Sequence, residues 1–260
     1  EIAGIFDPSA KQMESAIANF GIPPERVFTD FDACMSATKP DLAILCAATA
    51  DHGSYTERLA RYGVHVFVEK PFAASVEEAR RMIAAMRPTG KLLAINWPLV
   101  WVQSHAKAKQ LIDDGAIGKL LEVHFYDGNR GPLYHLADKV EVSREEVERQ
   151  KPQSWWYKRA SGGGSLLDYL GYGATLGTWY MNGVAPIEVT CTVDETAGIE
   201  VDQHSITVCR YATGLSKMET RWGTFTDPWT IQPQPHCGFV FIGTDGTSSS
   251  KDYADHVTIQ

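Results

Sequence analysis

The sequence predicts two α/β domains: a doubly wound parallel sheet at the N-terminus, then a C-terminal α/β domain with an open, mainly antiparallel sheet. Two observations predict this architecture. Up to Asn96, short apolar runs alternate with amphipathic stretches, and strands separated by single helices form parallel sheets covered on both faces. From Pro186 onward, apolar strands follow one another without helices, which favours antiparallel pairing.

The first predicted domain, residues 1–97, alternates strands and helices regularly. Ser9 is placed to cap its first helix, and Gly63 and Gly90 lie where C-terminal helix caps belong. In such a Rossmann-like sheet, ligands bind beyond the carboxyl ends of the strands. The predicted strands are Ile2–Phe6, Asp41–Cys46 (a buried strand), His65–Val68 and Leu92–Asn96, and the predicted helices are Ser9–Phe20, Asp51–Tyr62 and Ser75–Met86.

The second predicted domain, residues 98–260, begins with a helix over Val102–Asp114. A segment rich in charge and aromatic residues, 127–159, contains a short predicted helix at Ser143–Gln150. The predicted strands are Leu120–Tyr126, Ile187–Val193, Ser205–Tyr211, Ser216–Trp222 and Gly238–Ile242.

Charge and hydropathy exclude two classes of partner. The 260 residues carry a formal charge of -8 without a basic block, and nucleic-acid affinity depends on clustered Lys and Arg, so we expect no nucleic-acid partner. The longest apolar runs fall well short of the ~20 residues that a membrane-spanning helix needs. We therefore expect no membrane association and a cytoplasmic location.

Cysteine and histidine spacing predicts no metal site. The five cysteines form no CxxC pair and the eight histidines form no HExxH pair, which are common zinc-binding arrangements. The cysteines are expected to be reduced, buried thiols: Cys34, Cys46, Cys191, Cys209 and Cys237.

Asp7 follows the first predicted strand, where a carboxylate can accept hydrogen bonds from the adenosine ribose of a dinucleotide. An ordinary Asp that begins the turn before Pro8 fits the same position. No GxGxxG phosphate loop lies upstream, because the chain starts only six residues earlier.

Lys70 closes the strand His65–Val68 in the run Glu69-Lys70-Pro71. At the carboxyl edge of the sheet, a Lys can polarise a substrate hydroxyl or carbonyl and lower the pKa of a neighbouring acid. A surface Lys paired with Glu69 is the alternative.

A second motif, the glycine run 162–164, opens a predicted helix that carries Asp168 and Tyr172. Their i, i+4 spacing places both side chains on one helix face. A phenol with an ordinary pKa of ~10 is a poor base at neutral pH, so this chemistry needs a nearby ammonium such as Lys70. A tyrosine packed under the sheet is the alternative for Tyr172.

These motifs, in this order, resemble the Gfo/Idh/MocA family, the group of glucose-fructose oxidoreductase and inositol dehydrogenase. The sequence departs from the family pattern at Ala50, at Val64 and in a shorter Thr-to-His spacing. Tyr172, where other members have His, resembles the glucose-fructose oxidoreductase and dihydrodiol dehydrogenase branch. The resemblance is carried by Thr49, His52, the run 63–71 and the run 162–172.

The resemblance implies an NAD(P)-dependent oxidoreductase that transfers a hydride between nicotinamide and a hydroxyl carbon of a sugar, glycoside or cyclitol. Tyr172 would be the general acid/base, Lys70 would depress its pKa and orient the substrate, and Asp168 would hold a substrate hydroxyl. NAD is favoured over NADP, because the Asp7 carboxylate repels a 2′-phosphate. The implied cofactor-binding residues are Asp7, Ala48, Thr49, His52, Glu69, Lys70 and Asn96.

Trp155 and Trp156, just before the glycine run, are candidates for stacking on a sugar substrate, although packing explains them equally well. The Arg that relatives carry after Asn96 is missing, and Trp97 and Trp101 stand nearby, where an isolated Trp usually belongs to the core. The resemblance also implies a homo-oligomer formed through the C-terminal sheet.

Two other functions stay open: an enzyme that cleaves glycosides through transient oxidation by NAD, and a non-catalytic binding or regulatory relative. The missing phosphate loop motivates the second. We also expect the natural chain to extend beyond both ends, because a missing first strand leaves a central sheet position unpaired and residues 257–260 resemble a strand stopped mid-course.

Overall fold

The computed structural model describes residues 1–134 and 141–260. The chain divides into two compact units. The first unit comprises Glu1–Ala47, Asp51–Glu69 and Glu77–Ala94, and the second comprises Ala48–Ala50, Lys70–Val76 and Ile95–Gln260. Part of the charged segment 127–159, residues 135–140, lies outside the described residues.

The helices begin and end where local sequence signals place them. The Asp30 side chain caps α2 by accepting from the amide of Ala33, and α3 ends at Gly63 in the left-handed conformation, as predicted. The helices are α1 (Ala10–Phe20), α2 (Phe31–Thr38), α3 (His52–Tyr62), α4 (Val76–Met86), α5 (Gln103–Asp113), α6 (Arg144–Gln150) and α7 (Ser165–Tyr180).

The strands alternate with helices up to β5 and follow one another directly after α7. Those of the parallel part are β1 (Ile5–Phe6), β2 (Val27–Phe28), β3 (Leu42–Leu45), β4 (His65–Glu69) and β5 (Leu93–Asn96). The others are β6 (Leu120–Asn129), β7 (Glu188–Val193), β8 (His204–Arg210), β9 (Leu215–Trp222), β10 (Gly238–Gly243), β11 (Thr247–Lys251) and β12 (Val257–Ile259).

The N-terminal strands form two parallel groups. β1 pairs with β2, and a separate three-stranded sheet has the order β3-β4-β5. β4 is the middle strand of this sheet, and its Val66 and Val68 are almost completely buried. The predicted parallel, Rossmann-like arrangement is confirmed.

The second unit contains a seven-stranded sheet of order β12-β11-β10-β6-β9-β8-β7. Its neighbours are antiparallel except for the central pair β6 and β9, which run parallel. The predicted open, mainly antiparallel sheet is therefore confirmed. Phe125, Met218, Phe239 and Phe241 point to one face and form a core with the apolar residues of α7.

The other face of this sheet is open. Strand residues alternate between the two faces, so Ile206, Val208, Leu215 and Val240 project away from α7, and each is more than a third exposed. Among the described residues, no helix is both long enough and apolar enough to cross a membrane.

Several detailed predictions are wrong. Leu42 and Ile44 of β3 are 49% and 65% exposed, because β3 is the edge strand of its sheet. Cys46 and Cys191 are exposed rather than buried, although all five cysteines are free thiols. Trp101, expected in the core, is 72% exposed. Ser9 occupies the N-cap position of α1 without a side-chain capping bond.

Candidate active site

The N-terminus of α7 is fixed by side chains from outside the helix. Ser165 Oγ donates to Asp202 Oδ2 over 2.7 Å, and the amide of Leu166 donates to the same oxygen over 2.8 Å. A carboxylate at this position satisfies backbone donors and interacts favourably with the positive end of the helix. This cap sets where the following turn, which carries Asp168, is presented.

The glycine run allows the chain to enter α7. A Cβ on Gly163 would overlap the backbone carbonyl of Trp156, and that carbonyl accepts a hydrogen bond from the amide of Gly164. Only glycine permits this close approach. The run therefore packs α7 against the tryptophan segment; the structure contains no phosphate loop at these glycines.

Lys70, Asp168 and Tyr172 form one group, which we call the lysine cluster; Asp168 and Tyr172 are buried and Lys70 is half-buried. The Lys70 ammonium is ion-paired with Asp168 Oδ1 and donates to the Asp168 backbone carbonyl over 3.4 Å. It lies 5.5 Å from the centre of the Tyr172 ring. The Lys70 side chain is 21% exposed and that of Asp168 is 8% exposed, so their charges interact in a largely dry environment.

Burial of the Lys70 ammonium by itself lowers its pKa. The Asp168 carboxylate, with smaller contributions from Tyr172 and Asp127, raises the pKa, and together these contributions outweigh the effect of burial. The net pKa lies above the usual value of a lysine. Lys70 is therefore a permanent positive charge at neutral pH, beside a phenol that would need such a charge to act as a base.

Two tryptophans missed as site residues complete the cluster. The indole Nε1–H of Trp222, at the end of β9, donates to Asp168 Oδ2 over 3.0 Å. The ring of Trp97 meets the Tyr172 ring edge-on, with centroids 5.2 Å apart. Sequence spacing could not have predicted the contact between Trp222 and Asp168, because the two residues lie on separate elements, β9 and α7, that meet only in the folded domain.

A second buried acid, Asp127, interacts electrostatically with Lys70 and Asp168. Asp127 is on the core face of β6 and is 9% exposed. Burial raises its pKa well above the ordinary range, the Asp252 and Asp168 carboxylates raise it further, and Lys70 lowers it. This acid favours its protonated form, and the sequence motifs did not point to it.

Trp155 and Trp156, the predicted sugar-stacking pair, are stacked on each other with ring centroids 3.9 Å apart. Trp156 also meets the edge of Trp222 at 6.3 Å. Both are half-buried. Trp156 thus takes part in packing around the cluster, and a role in substrate binding stays a prediction for both.

The predicted cofactor-binding residues are divided between the units. Asp7, His52 and Glu69 belong to the first unit, and Ala48, Thr49, Lys70 and Asn96 to the second. Asp7 is half-buried, and its Oδ1 accepts from the amide of Ser9 over 2.7 Å. His52 is buried, with its Nε2 3.0 Å from the Ala47 carbonyl.

Some of these residues lie at the carboxyl ends of the strands in the sheet β3-β4-β5. Glu69 and Asn96 are the last residues of β4 and β5, and Ala48 and Thr49 follow the end of β3. Thr49 is buried, whereas Ala48 is exposed. Among the described residues, no group of three or more His, Cys, Asp or Glu side chains could hold a metal ion.

Comparison with known proteins identifies both parts of the chain. A family described as the GFO_IDH_MocA oxidoreductase family, NAD-binding Rossmann fold, matches residues 1–97. The corresponding GFO/IDH/MocA C-terminal domain matches residues 105–249. Together these matches cover most of the chain.

One curated relative is the D-apiose dehydrogenase of Paraburkholderia graminis, 31% identical over 118 residues, or 45% of this chain and 31% of the relative. The chain thus matches about a third of that protein. An aldose-aldose oxidoreductase from Caulobacter crescentus, solved with glycerol, superposes with a TM-score of 0.78 at 21% identity, covering 99% of this chain and 72% of that one.

A levoglucosan dehydrogenase solved with NADH and levoglucosan superposes with a TM-score of 0.77 at 18% identity, covering 98% of this chain and 69% of that one. At these identities, the two structural matches show a shared fold.

Proposed function

This chain belongs to the Gfo/Idh/MocA oxidoreductase family, and on that premise we propose that it is part of an NAD(P)-dependent dehydrogenase acting on a hydroxyl carbon of a sugar, glycoside or cyclitol. The observation that carries the proposal is the lysine cluster, in which a half-buried ammonium is ion-paired with the Asp168 carboxylate and lies 5.5 Å from the centre of the Tyr172 ring. The names of the relatives, D-apiose dehydrogenase and levoglucosan dehydrogenase, support the substrate class.

The residues present fit the ribose and nicotinamide ends of a dinucleotide. A carboxylate at the end of β1, Asp7, suits ribose hydroxyls, and its Oδ1 is already oriented by the Ser9 amide. Polar residues follow neighbouring strands at the carboxyl edge of the sheet, where ligands of such folds bind. We propose that Asp7, Thr49, His52, Glu69 and Asn96 hold the cofactor, together with Ala48 and Lys70.

The bound nicotinamide would supply the hydride acceptor or donor. In the direction of oxidation, the phenol oxygen of Tyr172 accepts the proton of the substrate hydroxyl as its carbon loses the hydride. The Lys70 ammonium stabilises the phenolate form of Tyr172 that this step needs. Asp168 keeps Lys70 in place and offers its remaining lone pairs to a substrate hydroxyl.

The two domains then have separate tasks. We propose that residues 1–97 bind the dinucleotide and residues 98–260 bind the substrate, with Trp155 and Trp156 bordering it. NAD is the preferred cofactor, because the Asp7 carboxylate disfavours a 2′-phosphate. The cytoplasmic location remains a prediction.

The open face of the sheet in the second unit supports a homo-oligomer. On this face Ile206 and Val208 of β8, Leu215 of β9 and Val240 of β10 expose apolar side chains, and exposed apolar surface of this kind can mark a contact site. Light scattering on the full-length protein should give the mass of a dimer or larger. Charged replacements at Ile206 and Val240 should then reduce it to that of a monomer, and a monomeric wild type would refute this part of the proposal.

Enzyme assays test the proposed activity. The full-length protein is incubated with NAD or NADP and a panel of aldoses, glycosides and cyclitols, and formation of the reduced nicotinamide is followed by absorbance. We expect turnover with at least one sugar or cyclitol and loss of turnover in Tyr172→Phe. Aglycone release at catalytic NAD, without accumulation of NADH, would replace the dehydrogenase proposal by glycoside cleavage. Absence of turnover across the panel would favour a binding protein.

A further inference from the structure

Trp222 occupies a buried position that faces the lysine cluster. It is the last residue of β9, pairs across the sheet with Asn129 of β6, and is 2% exposed. Its indole Nε1–H donates to Asp168 Oδ2 over 3.0 Å. Since indole is a donor only, this contact is a directed interaction with the carboxylate.

The two oxygens of Asp168 have different partners. Oδ1 is ion-paired with the Lys70 ammonium, and Oδ2 accepts from Trp222. The terminal torsion of an aspartate is broad, so one partner leaves the carboxylate plane free to turn, whereas two partners on opposite oxygens fix it. Hydrogen bonds to an ionised group are about twice as strong as neutral ones.

Trp222 is itself held by its surroundings. Its backbone amide donates to the Gln203 carbonyl over 2.7 Å, and its ring lies against Tyr157 at 5.3 Å and Trp156 at 6.3 Å between centroids. The Trp156 carbonyl also receives the amide of Gly164, at the start of α7. One segment therefore positions both the donor ring and the helix that carries the acceptor.

We propose that Trp222 is a positioning residue for the reaction: its indole N–H orients the Asp168 carboxylate so that Oδ1 stays on Lys70 and the ammonium stays beside Tyr172. This inference rests on the proposed function. It assigns to Trp222 an effect on turnover rather than a direct contact with substrate or cofactor.

The first test is structural and needs no activity. A crystal structure of full-length Trp222→Phe, compared with one of the wild type, should show the Asp168 carboxylate turned or spread over several orientations and its contact with Lys70 weakened. An Asp168 carboxylate that keeps the wild-type orientation in the variant would overturn the proposal. This arm stays decisive even if the wild type turns over no sugar, an outcome that would defeat only the proposed function.

The second test is kinetic. Trp222→Phe should lower kcat by about 10- to 100-fold, the range expected for a buried hydrogen bond to a charged group, with KM for the dinucleotide nearly unchanged. Trp179→Phe is the matched control, because Trp179 is on α7 but 38% exposed. A kcat equal to that of the wild type, or a loss confined to KM, would refute a positioning role.

If Trp222→Phe folds poorly, isosteric amino acids at position 222 can distinguish the effect of the indole N–H from the effect of the ring's shape. Benzothienylalanine at position 222 keeps the ring but removes the N–H, whereas 7-azatryptophan keeps both. We expect the first to reproduce the loss of kcat and the second to restore most of it. Equal activity of the two proteins would show that packing alone explains Trp222.

Discussion

The Lys70 ammonium lies 5.5 Å from the centre of the Tyr172 ring while it is ion-paired with Asp168. Lys70 directly follows β4, and Tyr172 lies in the second turn of α7. The pairing therefore places a permanent positive charge beside Tyr172 and also 5.6 Å from the centre of the Tyr169 ring on the same helix. Five predictions test this arrangement and its surroundings.

Replacing Lys70 should remove most of the activity. Lys70→Met takes away the charge that stabilises the Tyr172 phenolate, so we expect kcat to fall by about 10²- to 10⁴-fold, the usual contribution of acid–base groups. Because the variant leaves Asp168 buried without its cation, its melting temperature has to be measured alongside the rates. Lys109→Met is the control, since Lys109 pairs with Asp113 of the same helix. Wild-type rates in folded Lys70→Met would refute the site assignment.

Asp7 should decide between NAD and NADP. Asp7→Asn keeps an oxygen that can accept from Ser9 but removes the charge that repels a 2′-phosphate. We expect the preference for NAD over NADP, measured as a ratio of kcat/KM, to fall by about 10-fold. Asp41→Asn, just before the amino end of β3, should leave this ratio unchanged. A similar change in both variants would mean that Asp7 has no special role.

Asp127 should make stability depend on pH. Its folded pKa is raised, chiefly by burial, so the folded protein retains a proton that the unfolded chain releases above about pH 4. Stability therefore falls as the pH rises from about 4 through the folded pKa. Asp127→Asn resembles the protonated acid and should gain stability over the wild type at pH 7–8, with a smaller gain near pH 4–5. Urea unfolding at both pH values checks this, and equal differences would contradict it.

Gly171 should resist substitution because of Trp97. A Cβ at Gly171 would overlap the Trp97 ring, whereas one at Gly177 would meet only the hydroxyl of Ser216 closely, at 2.9 Å. We expect Gly171→Ala to lose about 1–3 kcal/mol in unfolding free energy and to lower kcat, because the displaced Trp97 contacts Tyr172. Gly177→Ala should be nearly neutral, since about 1 kcal/mol of helix propensity offsets the contact. Equal losses in the two variants would argue against the Trp97 contact.

His105 should be important for stability alone. Its Nε2 lies 2.8 Å from Asp252 Oδ1 and its Nδ1 2.7 Å from Ser250 Oγ. The order of groups resembles a hydrolytic triad, but all three residues are at most 2% exposed, which leaves a substrate no access. His105→Leu leaves the Asp252 carboxyl unpaired and should cost about 3–5 kcal/mol without changing KM. A selective loss of turnover would point to a catalytic role.

The sequence was sufficient for the architecture because its signals are local. Apolar runs interrupted by helices predicted the parallel strands, and the i, i+4 spacing predicted that Asp168 and Tyr172 share a helix face. The family resemblance implied that Lys70, Asp168 and Tyr172 belong to one site, but the ion pair between Lys70 and Asp168 was not predicted, since no local rule relates residues so far apart in the chain.

What the sequence missed depends on non-local contacts. Trp222 joins the site because β9 packs against α7, and Trp97, which follows β5, joins it through its ring contact with Tyr172. Asp127 was missed because its raised pKa depends on its burial in the fold, not on its neighbours in the sequence. The exposure of Ile44 was missed for a similar reason: an apolar strand looks the same at the edge and in the middle of a sheet, and only the strand order tells them apart. The helix α2 and strands β2 and β11 were also missed, being short segments with weak periodicity.

The central position of β6 also has a consequence for biosynthesis. β6 ends at Asn129, but its two neighbours in the sheet, β9 and β10, end at Trp222 and Gly243. During translation β6 therefore leaves the ribosome long before β9 and β10 have been synthesised, and until then both of its edges are unpaired. Non-local pairings of this kind form slowly, and unpaired edges of an apolar strand invite aggregation. Since α7 packs on β6 and β9, the core that holds Tyr172 beside Lys70 is complete only after β9 has been synthesised.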